Sequence, residues 1–332
     1  MPIDVHAHYV PRRILEALDG RASRYGISVV DGAASCPCLH FDYGLRVRPF
    51  FERLLEPEEA RIDSMARTGI DRQVLSLWAD IFGYGLSREA AGAWHRLLNE
   101  SLTESCRRHP AQFSWFASGP LPHAADAARE LERSVRELGA SGGIVAANVE
   151  GQNLGELPLD EYWAAAEALN VPVFIHPAQP SPLPRTSAFA LNPIVQYTFD
   201  TTLTLGSLIF AGVLDRFPKL DLIVSHGGGV LPYLIGRFDV MHERMDRPHQ
   251  RNVAAAAPSA YLRRMHYDTI LHDADALRYL ASRVNTDRLL LGSDDPFPPM
   301  DKDPLASLRR AGFNAADVSL ITEENPRRLL RL

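Results

Sequence analysis

Eight short apolar runs punctuate the chain. They are IDVHAH (3–8), RQVLSLW (72–78), FSWFASG (113–119), GIVAANV (143–149), VPVFIHP (171–177), DLIVSHG (221–227), RMHYDTI (264–270) and RLLLGSD (288–294). Their length and their Val, Ile and Phe content suit buried strands. Between them lie stretches with helical spacing of apolar positions. DAARELERSVRELG (126–139) and PLDEYWAAAEALN (158–170) are the clearest, the second opening at Pro158 and stopping at Asn170. Strands alternating with helices predict a parallel sheet. Eight such units predict an α/β fold closed into a (β/α)8 TIM-like barrel, with an open doubly wound sheet as the alternative. Residues 1–332 read as a single domain.

One segment breaks the rhythm. Residues 12–60 separate the first two strands and contain RYGISVVDGAASCPCLHFDYGLRVRPF. Val, Phe and Tyr between glycine turns predict a small β insertion after strand one. No barrel helix is expected before about Glu58, and the insertion is expected to sit over the barrel mouth.

Composition narrows the function. A chain of 332 residues with 46% hydrophobic content suits one large barrel with an insertion. A net charge of −6 without any basic block argues against a nucleic-acid binder. No apolar run is long enough for a bilayer span, and the N-terminus lacks the basic and apolar regions of a signal peptide. A cytoplasmic location is expected. The three cysteines, Cys36, Cys38 and Cys106, are odd in number and form no Cys-x-x-Cys pair, which fits reduced thiols. Lys219 and Lys302 are the only lysines, in a turn and a loop, and neither is placed for Schiff-base, phosphate-loop or metal-bridging chemistry.

Chemistry in such a barrel sits at the C-terminal strand ends. Strand one ends in His6 and His8, which share a face with Asp4 because side chains alternate along a strand. Strand five ends in His176, strand six in His226 and strand eight in Asp294. All five would face one mouth, which predicts a shared metal site. His6, His8, His176 and Asp294 supply three nitrogens and one oxygen, a set that suits zinc and, less tightly, iron, cobalt or manganese. His226 is then free to move a proton. Strand four ends in AANVE, with Asn148 and no lysine to bridge two ions, so one divalent ion per chain is expected. His266 and Asp268 share a face of strand seven, either as partners of the metal ligands or as barrel filling.

Gly139-Ala140-Ser141-Gly142-Gly143 matches the Gly-x-Ser-x-Gly elbow of serine hydrolases, and HGGG (226–229) matches their oxyanion loop. The elbow must lie between a strand and the following helix. Ser141 instead follows a helix and precedes a strand, and HGGG comes after it in the chain, so this reading is set aside.

Taken together, IDVHAHYVP, FIHP, FPKLDLIVSHGGG and LLLGSDDPFP resemble the amidohydrolase-related proteins typified by 2-amino-3-carboxymuconate 6-semialdehyde decarboxylase. The resemblance covers nearly the whole chain. It implies a metal-dependent barrel that releases carbon dioxide without redox chemistry, with His6, His8, His176 and Asp294 as ligands and His226 as proton carrier. It also implies that Arg48 grips a substrate carboxylate and that Arg237 reaches into the neighbouring subunit's site, hence a homodimer. FGY (82–84) is similar to the family's substrate-side loop. The chain departs from the pattern at Ala178 and Gln179, where the typifying enzyme has Trp and Asp, and at Asp295, where it has Tyr. The same ligands would also serve a hydrolase or hydratase acting on a lactone, an amide or a double bond. A non-catalytic protein keeping its metal for stability is the third class, and the presence of His226 counts against it.

Overall fold

Backbone hydrogen bonds join the eight runs into one parallel sheet, in chain order. The strands are β1 (Ile3–His8), β2 (Arg72–Ser76), β3 (Phe113–Ala117), β4 (Gly142–Ala146), β5 (Val173–His176), β6 (Leu222–Val224), β7 (Met265–Asp268) and β8 (Leu289–Leu290). The computed structural model describes residues 1–18, 22–31, 36–178, 183–246 and 250–332. β8 returns to β1 and closes the barrel. Val5 N donates to Leu291 O at 2.9 Å, Asp294 N to His6 O at 2.8 Å and His8 N to Asp295 O at 2.6 Å. The strands read as unbroken apolar runs because both faces are covered, one by the barrel interior and the other by helices.

A helix follows each strand: α1 (Glu58–Thr68), α2 (Arg88–Arg108), α3 (Ala124–Arg133), α4 (Asp160–Leu169), α5 (Tyr197–Phe210), α6 (Leu231–Arg244), α7 (Ala274–Val284) and α8 (Pro304–Arg310). α4 stops as the sequence predicts, with Asn170 left-handed at φ 53°, but it starts two residues after Pro158, because Leu159 is its cap. α3 runs on through one wider turn, Ser134–Leu138, to a left-handed Gly139 at φ 84°. Ser141 therefore sits in a helix-to-strand connection, the reverse of a nucleophile elbow.

The insertion contains the expected β structure, an antiparallel hairpin of Ile27–Asp31 with Pro37–Phe41. It also contains a short helix at Arg12–Leu18, formed because Ile14 and Leu18, one turn apart, bury together. The barrel helix α1 begins at Glu58, as expected. Phe50 packs edge-on against Trp78 just beyond the end of β2, with centroids 5.3 Å apart. The insertion thus meets the barrel at the C-terminal end of its strands and carries Arg48 to the mouth.

Candidate metal centre

β1 is entirely buried, so its alternation decides what enters the barrel. His6 and His8 point inward side by side, and their Nε2 atoms are 3.0 Å apart. Asp4 shares their face but turns to the β8 end. It accepts from Ser293 Oγ at 2.6 Å, Ser293 N at 3.1 Å, Gln73 Nε2 at 3.0 Å and the His6 N–H at 3.1 Å. Burial pushes its carboxyl up to about 6 in spite of these donors.

The other groups arrive from strand ends on the same side. Asp294 stands in the turn after β8, with left-handed backbone at φ 61°. Its Oδ1 lies 3.2 Å from His6 Nε2 and 3.3 Å from His8 Nε2. The His176 ring at the end of β5 lies 4.5 Å from the His8 ring and 5.0 Å from the His6 ring, centroid to centroid. His226 follows β6, and its Nε2 lies 3.6 Å from Asp294 Oδ2. Three consecutive left-handed glycines follow it, and at Gly229 a Cβ would come within 2.2 Å of Thr198 O. Only glycine allows the turn to pass so close to the first turn of α5.

These contacts fix the imidazole tautomers. His176 Nδ1 donates to the Pro177 carbonyl at 2.8 Å, so Nε2 carries the lone pair. His6 Nδ1 donates to Asp268 Oδ2 at 2.6 Å, which aims its Nε2 at the cluster. Asp268 also accepts the backbone N–H groups of His226 at 2.8 Å and Gly227 at 2.9 Å. His266 lies two residues earlier on β7 and remains buried barrel filling, with burial pushing it down to about 3.

The donor set fits a divalent ion. Donors held about 2.1 Å from one ion lie about 3.0–3.4 Å from one another. His6 Nε2, His8 Nε2 and Asp294 Oδ1 form a triangle with edges of 3.0, 3.2 and 3.3 Å. Asp294 Oδ1 and His176 Nε2 are buried and have no hydrogen-bond partner within the protein. A buried polar atom left so costs about 1–3 kcal/mol, an expense that an ion removes. The donor atoms of His6, His176, His226 and Asp294 all lie within 4.8 Å of one another. His226, expected as the spare group, thus stands within reach of the cluster, and that group of four leaves out His8, whose Nε2 is nonetheless nearer to Asp294, at 3.3 Å against 3.6 Å.

The electrostatics are those of a cation site. Burial works to lower His6, but Asp294 and Asp268 outweigh it and hold the ring up at about 10. Burial pushes His8 down to about 4, and burial with three neighbouring histidines keeps His176 well below its ordinary value. Burial works to raise Asp294, yet His6, His226 and His8 hold its carboxyl well below the usual range. Asp268 is likewise held down, by His6 and the His226 turn against the effect of burial. The cluster keeps its carboxylates ionised and His8 and His176 neutral, the states a metal requires, while His6 must give up a proton for its Nε2 to bind an ion.

A cavity of 500 Å³ opens onto the cluster, lined by His176, His226 and Asp294 on one side and by Trp78, Tyr197 and Phe297 among its apolar walls. Arg48 lies in its wall. Its guanidinium stands 5.0 Å from the Trp78 ring, and its NH2 is 3.8 Å from Asp80 Oδ2. Arg237 is elsewhere, on the exposed side of α6, where it lines a separate groove with Phe199, Leu203 and Met241. Ala178 lines a third pocket with Asp80, Phe82 and Tyr84, so the FGY stretch does face the mouth. Gln179 lies outside the described residues. Asp268, Trp78, Asp80 and Tyr197 were not assigned from sequence. Asp268 had one signal, its shared face with His266 on β7.

The family model described as Amidohydrolase matches residues 3–332. The chain is 30% identical over 299 residues to 2-amino-3-carboxymuconate-6-semialdehyde decarboxylase of Dictyostelium discoideum, covering 90% of this chain and 82% of that protein. It is 29% identical over 298 residues to gamma-resorcylate decarboxylase of Rhizobium radiobacter, covering 84% and 89%. Its structure is similar to that of 2,6-dihydroxybenzoate decarboxylase complexed with 2,6-dihydroxybenzoate, with a TM-score of 0.79 and 25% identity over 100% of this chain and 99% of that one.

Proposed function

The chain belongs to the amidohydrolase family, and from that premise we propose that it is a metal-dependent carboxy-lyase, releasing carbon dioxide without redox chemistry from an unsaturated or aromatic carboxylate. The observation that carries this reading is the triangle of His6, His8 and Asp294 donors beside a cavity with Arg48 in its wall. Both relatives named above are decarboxylases, which supports the reaction class.

His6, His8, His176 and Asp294 are the proposed ligands. His8 is taken in preference to His226 for two reasons. Its ring is fully buried, and its Nε2 is 3.3 Å from Asp294 Oδ1. His226 stands farther off and keeps 14% of its side chain open to the cavity, where it can touch a substrate. One ion per chain is proposed, because the β4 position paired with His176 is Ala146 and offers no bridging group. Zinc suits three imidazoles and a carboxylate best, with manganese, iron or cobalt as substitutes. Such an ion, when bound, supplies a Lewis acid beside the substrate.

The protein's own groups do the rest. Arg48 holds a substrate carboxylate through its planar fork, and the Trp78 ring under it restricts where that fork can point. Trp78, Phe297 and Tyr197 line an apolar space that suits a conjugated ring or chain. Burial, with Asp80 close by, keeps the Tyr197 hydroxyl protonated and able to donate. His226 delivers a proton to the carbon that bears the departing carboxylate. The carbon–carboxylate bond then breaks, its electron pair restores the conjugated system, and carbon dioxide leaves.

The same reading includes a homodimer in which Arg237 completes the neighbour's site. Arg237 is exposed on α6 and lines a separate groove, not its own cavity. Around it stand exposed apolar side chains, Phe199 and Leu203 on α5 and Tyr233 and Met241 on α6. A contiguous surface of that kind favours burial against another chain. A cytoplasmic location fits the three free cysteines. No helix among the described residues is long and apolar enough to cross a membrane.

The test is a panel of hydroxybenzoates and carboxylated muconate semialdehydes incubated with metal-loaded protein. Release of carbon dioxide from at least one member is expected. Turnover of a lactone, amide or alkene without gas release would favour the hydrolase or hydratase alternative.

A further inference from the structure

Arg61 belongs to α1, yet its side chain has no exposure to solvent. A guanidinium cannot shed its charge inside a protein, so its donors need acceptors; both terminal nitrogens find them, while Nε has no partner within the protein. NH1 donates to Asp295 Oδ2 at 2.7 Å and to Gln73 Oε1 at 3.1 Å. NH2 donates to the backbone carbonyl of His8 at 2.8 Å. The Tyr9 ring lies against the guanidinium, 5.4 Å from its carbon. The other carboxylate oxygen of Asp295 accepts from Arg53 NH2 at 2.6 Å.

Arg61 therefore joins the residue His8 at the end of β1 to the residue that follows Asp294. The backbone closes the same loop, since the His8 N–H donates to the Asp295 carbonyl at 2.6 Å. This is the seam where the barrel closes, and the ladder of β8 with its other neighbour, β7, ends at Leu290, four residues before Asp294. Beyond that point three backbone bonds, Val5 to Leu291, Asp294 to His6 and His8 to Asp295, hold the chain in register with β1. A rigid fork bonded to both sides adds a side-chain tie to that register.

We propose that Arg61 and Asp295 are a positioning pair that sets the separation of His8 and Asp294, and with it the affinity of the site for a divalent ion. The inference rests on the ligand set proposed above. It accounts for Asp295, the one departure in the LLLGSDDPFP motif: a carboxylate there provides the counter-charge for the buried Arg61.

The experiment titrates metal-free protein with Zn²⁺ against a chromophoric chelator, alongside thermal melts of the metal-free forms. The variants are Asp295→Asn, Arg61→Lys and Arg53→Ala. Asp295→Asn keeps the side-chain size and removes the charge. Arg61→Lys keeps the charge and removes the fork. Arg53→Ala removes the solvent-side partner of the same carboxylate. Loss of a group that orients a ligand typically costs about 10–100-fold in metal affinity. The first two variants are expected to bind Zn²⁺ about 10–100-fold more weakly than the wild type, and Arg53→Ala within about twofold of it on the same criterion. If the first two fold and bind as tightly as the wild type, the proposal is overturned. It is equally overturned if neither folds, because the pair then serves the fold itself. A wild type that holds no Zn²⁺ would instead defeat the ligand set on which the inference stands.

Discussion

Asp268 Oδ2 sits 2.6 Å from His6 Nδ1, and the same carboxylate holds the backbone N–H groups of His226 and Gly227. One side chain on β7 thus orients a group from β1 and shapes the turn after β6. The first effect should govern metal affinity. Asp268→Asn is expected to leave the His6 tautomer unfixed and to weaken metal binding by about 10–100-fold. Equilibrium dialysis with metal analysis checks this, and a variant that keeps one tightly bound ion per chain would show that His6 needs no such partner.

His226 is assigned to proton transfer, so its replacement should separate binding from chemistry. His226→Asn is expected to retain its metal while turnover falls by about 10²–10⁴. Metal content measured on the purified variant, with kcat on the same sample, decides the assignment. Loss of the ion would move His226 into the ligand set, as its place in the four-residue cluster allows.

Arg48 should act on binding. Removing a charge-assisted hydrogen bond of about 1.5–3 kcal/mol corresponds to about 10–100-fold in kcat/KM. Arg48→Ala is expected to show that loss mainly as a higher KM. Arg48→Lys should recover little, because an ammonium lacks the planar fork. A variant with unchanged KM would mean that the Trp78-stacked guanidinium does not meet the substrate.

Arg237 should act across subunits. Arg237→Ala and His226→Asn are each expected to be inactive alone. After subunit exchange a mixed dimer has one site with both lesions and one with neither, so activity should return. If labelled subunits are seen to exchange and no activity appears, Arg237 does not complete a neighbour's site.

The barrel was readable because each strand is an apolar run long enough to be buried and short enough not to be a helix. His6, His8, His176, His226 and Asp294 were readable because a titratable residue at the end of such a run has one place to point. The supporting groups carry no comparable local mark. Asp268 and His6 are 262 positions apart, and nothing in MHYDTI distinguishes Asp268 from barrel filling until β7 is seen beside the His226 turn. Arg61 reads as one of many arginines in an amphipathic helix, and its burial depends on Asp295, 234 positions away. The Arg12–Leu18 helix escaped notice because seven residues, only two of which bury, are too short a signal among strand-like neighbours. What sequence hides here is the partner of each charge, since partners meet only when the seam closes.

The central claim is that a carbon–carbon bond to a carboxylate breaks and a proton takes its place. Turnover in D₂O of a substrate labelled with ¹³C at the carboxyl group, followed by NMR, tests it most directly. The account predicts one ¹³CO₂ released per turnover, one deuterium on the carbon that lost the carboxylate, and loss of both when the metal is chelated. A product that keeps its ¹³C carboxylate and gains oxygen from water would contradict it.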